Sequence, residues 1–179
     1  MRHSDYIAFF KERAQLHLKL LHLSDNKSAF SVIIENAPNP FQPKTDLDNF
    51  LSSIRTVGKF PHLLLISYDA NYSGVKDAFV KKTMEGAFII LDKPNPARDY
   101  DKVNEVLNDT EVIGEQILAA LNAYAEENNC TLFTGDGTGA EKIGPVGDGF
   151  YGTKFYIKIE ADANYLLTDN RTDTAIWDL

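Results

Sequence analysis

The stretch YGTKFYIKIE, running from Tyr151 to Glu160, decides the fold of this chain. Within it Tyr151, Thr153, Phe155, Ile157 and Ile159 alternate with Gly152, Lys154, Tyr156, Lys158 and Glu160. A period of two puts the first set on one side of a pleated strand and the second on the other. One side is apolar and the other carries charge, which is the pattern of an antiparallel strand with one buried and one wet face.

Working outward, Phe60 to Tyr68 and Gly86 to Leu91 are near-continuous apolar runs of the length expected for strands buried on both faces, and they form the centre of the sheet. The polar segment 69–85 between them, with Gly74 and scattered Val75, Phe79 and Val80, reads as a long hairpin arm or a mobile loop. Phe30, Val32 and Ile34 alternate with their neighbours like an earlier strand, and Cys130 to Phe133 suits a short one. Helical spacing appears over Asp5 to Leu23, where Ile7, Phe10, Ala14, Leu18 and Leu21 form a stripe and Ser4 is placed to cap. It returns in Tyr100, Val103, Leu107, Ile113, Ile117, Leu121 and Tyr124, as one long helix or two consecutive ones. Prolines 38, 40 and 43 forbid regular structure over 36–43, and Thr45 with Asp48 then has capping-box spacing before Leu47, Phe50, Leu51 and Ile54, a short further helix. The expected architecture is a single α+β domain over 1–179, a mixed, mainly antiparallel sheet packed against two or three helices. Its appendages are the polar arm 69–85, a Gly-rich loop 135–149 and a C-terminal tail 161–179.

Composition bounds the function. The 179 residues are 44% hydrophobic, enough for a sizeable core and too apolar for disorder. Eighteen basic against twenty-six acidic residues give a net charge of -8, the wrong sign for binding phosphate backbones, so a nucleic-acid partner is disfavoured. The longest apolar runs are a few residues, where a membrane span needs about twenty. The first ten residues lack an apolar signal core, and the lone Cys130 has no internal disulfide partner, so the expected setting is a reducing cytoplasm.

No catalytic constellation stands out. Gly135, Gly137 and Gly139 after a short strand resemble loops whose amides cradle phosphate, and Asp136, Thr138 and Glu141 in the same loop carry oxygens for a cation. Yet Lys142 is followed by Ile143 where a Walker loop needs Ser or Thr, Gly144 and Pro145 forbid the helix that a dinucleotide site requires, and no calcium-loop spacing is present. His17 and His22 point about 140° apart on a helix, so they make no metal pair. Cys130 follows Glu126 and Glu127, which oppose thiolate formation. Asp99 with Asp101 and Asp46 with Asp48 lie at helix N-termini, where capping explains them. Neither a cofactor nor a metal is expected, and an enzymatic role is disfavoured. What remains is interaction, through Lys154, Tyr156 and Lys158 on the wet strand face and through Trp177 near the chain end.

The order of elements, with GAFIILDKPNPARDYDKVNEVLNDTEVIGEQILAAL from Gly86 to Leu121 and GPVGDGFYGTKFYIKIEADANY from Gly144 to Tyr165, resembles small bacteriophage or prophage tail-terminator and tail-completion proteins over about half the chain. That resemblance implies a non-enzymatic protomer that assembles with itself into rings and meets other tail-type proteins, in the cytoplasm or in the virion. The arm 69–85 and the C-terminal tail would be its subunit contacts. The alternative is a small-molecule- or phosphate-binding α/β domain, an enzyme included, built on loop 135–149. A monomeric adaptor using the Lys154, Tyr156 and Lys158 face is a third reading.

Overall fold

The computed structural model describes residues 2–22, 28–33, 58–75, 79–96, 99–133, 135 and 138–163. The Pro-rich connection at 36–43, the expected helix over 45–54 and the tail beyond 163, Trp177 included, lie outside the described residues.

Helix α1 spans His3–Leu16 and buries Tyr6, Phe9, Phe10 and Ala14. Its cap is Arg2, not Ser4: the Arg2 amide donates to Asp5 Oδ2 at 2.8 Å, while the Ser4 hydroxyl turns to Asp5. The expected stripe runs too far. The helix stops at Leu16, His17 is extended, and Leu21 takes a left-handed φ of 44° so that the His22 amide can return to the Ala14 carbonyl at 2.9 Å. The doubled-back chain turns Leu20 inward and leaves Leu18 exposed.

Helix α2 spans Tyr100–Glu127 as one uninterrupted helix. Asp99 caps it, Oδ1 accepting from the amides of Asp101 at 3.0 Å and Lys102 at 3.4 Å. Its inner stripe is Thr110, Ile113, Gly114, Ile117, Leu121 and Ala125.

Among the described residues six strands form one sheet: β1 Ser28–Ile33, β2 Gly58–Val75, β3 Phe79–Asp92, β4 Cys130–Leu132, β5 Gly139–Val146 and β6 Phe150–Asp162. Their order is β1-β2-β3-β6-β4, with β5 also on β6. Only β1 to β2 is parallel, so the fold is a mixed, mostly antiparallel α+β domain. The centre of the sheet is β2, β3 and β6, whose apolar runs are longest.

Both sheet faces carry a core. On the helical face α1 and α2 meet Leu63, Leu65, Phe88, Ile90, Phe155, Ile157 and Ile159. Each large side chain buried here stabilises the fold by about 1.5–3 kcal/mol. Phe88 and Phe155 stack across β3 and β6 with centroids 5.0 Å apart, and Phe10 leans on Phe88 at 5.2 Å. Opposite them lie Leu64, Ile66, Ala87, Ile89, Leu91 and Phe150.

Of the two forms expected for the segment 69–85, its described residues take the hairpin arm: Asp69–Val75 of β2 pairs with Phe79–Glu85 of β3, and β6 continues the ladder on the far side as Lys81↔Asp162 through Glu85↔Lys158. The Gly-rich segment differs from its reading as a loop, since most of its described residues are strand. Gly139 to Ile143 pairs with Tyr156 to Gly152, and after a register shift Val146 pairs with Phe150. Gly and Pro signal a turn by local preference, but here a fully formed β6 supplies the hydrogen bonds that make β5 an edge strand.

Candidate functional site

The wet face of β6 follows directly from the alternation that defines the strand, and its side chains are paired within the chain. Lys158 Nζ meets Glu85 Oε1 across β3 at 2.9 Å, and it lies 6.0 Å from the Phe133 ring. Lys154 sits over the Tyr156 ring at 4.6 Å, and the Tyr156 hydroxyl donates to Glu141 Oε1 of β5 at 3.0 Å. Further along, Lys81 pairs with Glu160, which raises the pKa of Lys81. The result is a ladder of complementary charge that fixes β3, β5 and β6 in register. Pairs of this exposed kind contribute about 0–1 kcal/mol each.

The loop at 135–138 is closed on itself. The Gly135 amide donates to Thr138 Oγ1 at 2.7 Å, and both the hydroxyl and the amide of Thr138 donate to the Gly135 carbonyl, at 2.8 and 2.9 Å. An amide engaged in this way is not offered to a phosphate. Asp136 and Gly137 lie outside the described residues, and Gly139 opens β5.

His22, whose Nδ1 is 3.5 Å from Ser28 Oγ, lies close enough to His62 to help lower its pKa, and the other two histidines stand apart. His17 joins the helices through Nε2 and Gln116 Oε1 at 2.8 Å, and His3 leans on Tyr68. His62 is fully buried between β1 and β2, with Nε2 3.0 Å from Ser31 Oγ and Nδ1 3.3 Å from the Lys59 carbonyl. Burial drives its pKa down to about 4, so it is neutral at pH 7, with Nδ1 protonated toward the carbonyl and Nε2 accepting from Ser31. The polarity suits a general base acting on a serine. Two shallow clefts, of about 170 and 380 Å³, lie between the end of α1 and α2 around His17 and Gln116. The His62–Ser31 contact ties β1 to β2. No sequence signal announces it, because the partners are 31 residues apart and meet only through a parallel pairing. Cys130 is buried, its thiol directed to the Asn128 carbonyl at 3.4 Å. Among the described residues no group of three His, Cys, Asp or Glu side chains could hold a metal, and no helix is long and apolar enough to cross a membrane.

Strand β1 is described as far as Ile33, which lies opposite Ile66, so among the described residues Asp69–Val75 pairs with β3 alone. At β1 the register shifts between Ser28 and Phe30, where Ser28 Oγ bonds both the amide and the carbonyl of Phe30. At β5 Pro145 interrupts the strand inside a register shift, and β4 has only three residues. A register shift also interrupts β2 between Ile66 and Asp69, where the arm DANYSGV begins. Tyr72, 53% exposed, stands at its centre.

The sequence matches no protein-family model, and no curated protein is significantly similar to it.

Proposed function

We propose that this protein is a non-enzymatic structural component that works by assembling with copies of itself, as the resemblance to tail-terminator proteins implies. The observation that supports this reading is the long arm itself, Asp69–Val75 of β2 against Phe79–Glu85 of β3, which the resemblance assigns to subunit contacts. The chemistry points the same way. Ionisable groups on the wet face are engaged within the chain, Lys158 with Glu85 and Tyr156 with Glu141, and the His62–Ser31 contact joins β2 to β1.

A ring at the end of a tail tube is the assembly that the resemblance suggests, with other tail-type proteins as further partners. Light scattering coupled to size exclusion tests the reading across protein concentration. Discrete species heavier than one chain are expected, whereas a single-chain mass at every concentration overturns self-assembly.

A further inference from the structure

Both faces of the central strands are buried, yet the helices account for one of them. On the second face Leu64 and Leu91 are 0% exposed and Ile89 is 2% exposed. The cluster they form with Ile66, Ala87 and Phe150 includes no residue of α1 or α2, which pack on Leu63, Leu65, Phe88 and Ile90 opposite. Its flank is filled from the sheet itself, where Phe60 stacks on Phe150 at 4.6 Å and Ile143 and Val146 of β5 lean in. Among the described residues no helix lies over Leu64, Ile66 and Ile89.

We infer that residues 34–57 of the same chain cover this face, and that their apolar stripe of Leu47, Phe50, Leu51 and Ile54 is what excludes water from Leu64, Ile66 and Ile89. Strands β1 and β2 are parallel neighbours, so 34–57 is a crossover. It returns from the level of Ile66 to that of Gly58, roughly 26 Å back along the sheet, and it has about twice the dozen residues that such a return requires.

A second crossover fixes the face. Strands β3 and β4 both pair antiparallel with β6, so they are parallel to each other, and α2 joins them across the helical face. Both crossovers step the same way along the order β1-β2-β3-β6-β4. Strand β1 runs opposite to β3, because β2 is parallel to the one and antiparallel to the other. Crossovers of one hand that step the same way from oppositely directed strands lie on opposite faces of a sheet. Such connections are right-handed almost without exception, which sends 34–57 to the face that α2 does not occupy.

The side chains of the segment fit the task. Leu47, Phe50, Leu51 and Ile54 fall at i, i+3, i+4 and i+7, an apolar stripe of about two helical turns that needs a surface to bury it. The rival segment, 164–179, leaves β6 beyond Ala163, whose amide donates to the Val80 carbonyl at 2.8 Å near the far end of the arm. Its first apolar residues, Tyr165 to Leu167, fall short of Ile89, which lies roughly 30 Å back along β3 from Val80. An apolar face of this kind is a common docking surface, but filled from within the chain it is not one that self-assembly uses.

Nuclear Overhauser contacts between methyl groups test this in the intact chain, labelled at Ile and Leu. The expected cross-peaks run from Leu47, Leu51 and Ile54 to Leu64, Ile66 and Ile89, with none to Leu63, Leu65 or Ile90. Cross-peaks to that last set instead, second-face methyls that meet Leu166, Leu167 or Ile176, or no contact at all from 47–54 would each overturn the inference. In a sample mixed from differently labelled chains, the same cross-peaks appearing between chains would make a second copy the occupant, which overturns the inference and supports self-assembly. A monomer with the expected cross-peaks would leave the covered face standing and self-assembly refuted.

Discussion

Gly114 shows how closely single positions control this fold. A Cβ built there would lie 1.9 Å from Cε2 of Phe155, because α2 approaches β6 at that residue with nothing between backbone and ring. The ring is held by its stack on Phe88, so it has little freedom to give way. Gly114→Ala would gain about 1 kcal/mol of helix propensity, but overpacking costs about 1–3 kcal/mol, and at this separation the clash prevails. The expected outcome is a net loss of up to about 2 kcal/mol in urea unfolding. His62 supplies a second residue-scale prediction. Its pKa falls from an ordinary 6.5 to about 4 on burial, so above pH 6.5 both folded and unfolded chains are neutral there and its contribution is whole. As pH drops from about 6.5 toward 4, the unfolded chain binds a proton that the folded chain refuses, and stability declines by on the order of 3 kcal/mol in total. His22, whose pKa is also lowered by burial, acts in the same direction. Unfolding curves at pH 7.5 and 5 should therefore differ less for His62→Gln than for the parent. Neither residue was legible in the sequence: Gly114 looked like one more helical position, and His62 like the mouth of a strand. Their roles come from partners 41 and 31 residues away, which no local pattern encodes.

At the scale of elements, legibility follows how far a segment depends on its neighbours. Strand β6 alternates because one face must be apolar and the other wet, and α2 repeats every three to four residues because one stripe must meet the sheet, so both could be read directly. Asp99 at the start of α2 was equally plain, and Asp99→Ala should cost about 1 kcal/mol, a fall of about 2–4 °C in Tm by calorimetry. Helix α1 was read too long because Leu18 and Leu21 keep the helical spacing by chance, while the chain reverses after Leu16. Strand β5 was read as a loop because Gly144 and Pro145 are locally unfavourable to strands, and only its pairing with β6 overrides that preference. The Lys154, Tyr156 and Lys158 face was located correctly on β6. Its partners Glu85 and Glu141 are on other strands, and they turn an apparently free basic surface into a neutral ladder.

For the whole molecule, the α+β class and the central position of the two apolar strands could be read from pattern, whereas the pairing of the arm with β6 could not, because Lys81↔Asp162 through Glu85↔Lys158 joins segments that only the assembled sheet brings together. The account of function rests on self-assembly. The most direct test is the solution mass of the chain, measured by light scattering over a concentration series. The prediction is a discrete species heavier than one chain, and a mass that never exceeds one chain would contradict the assembly role.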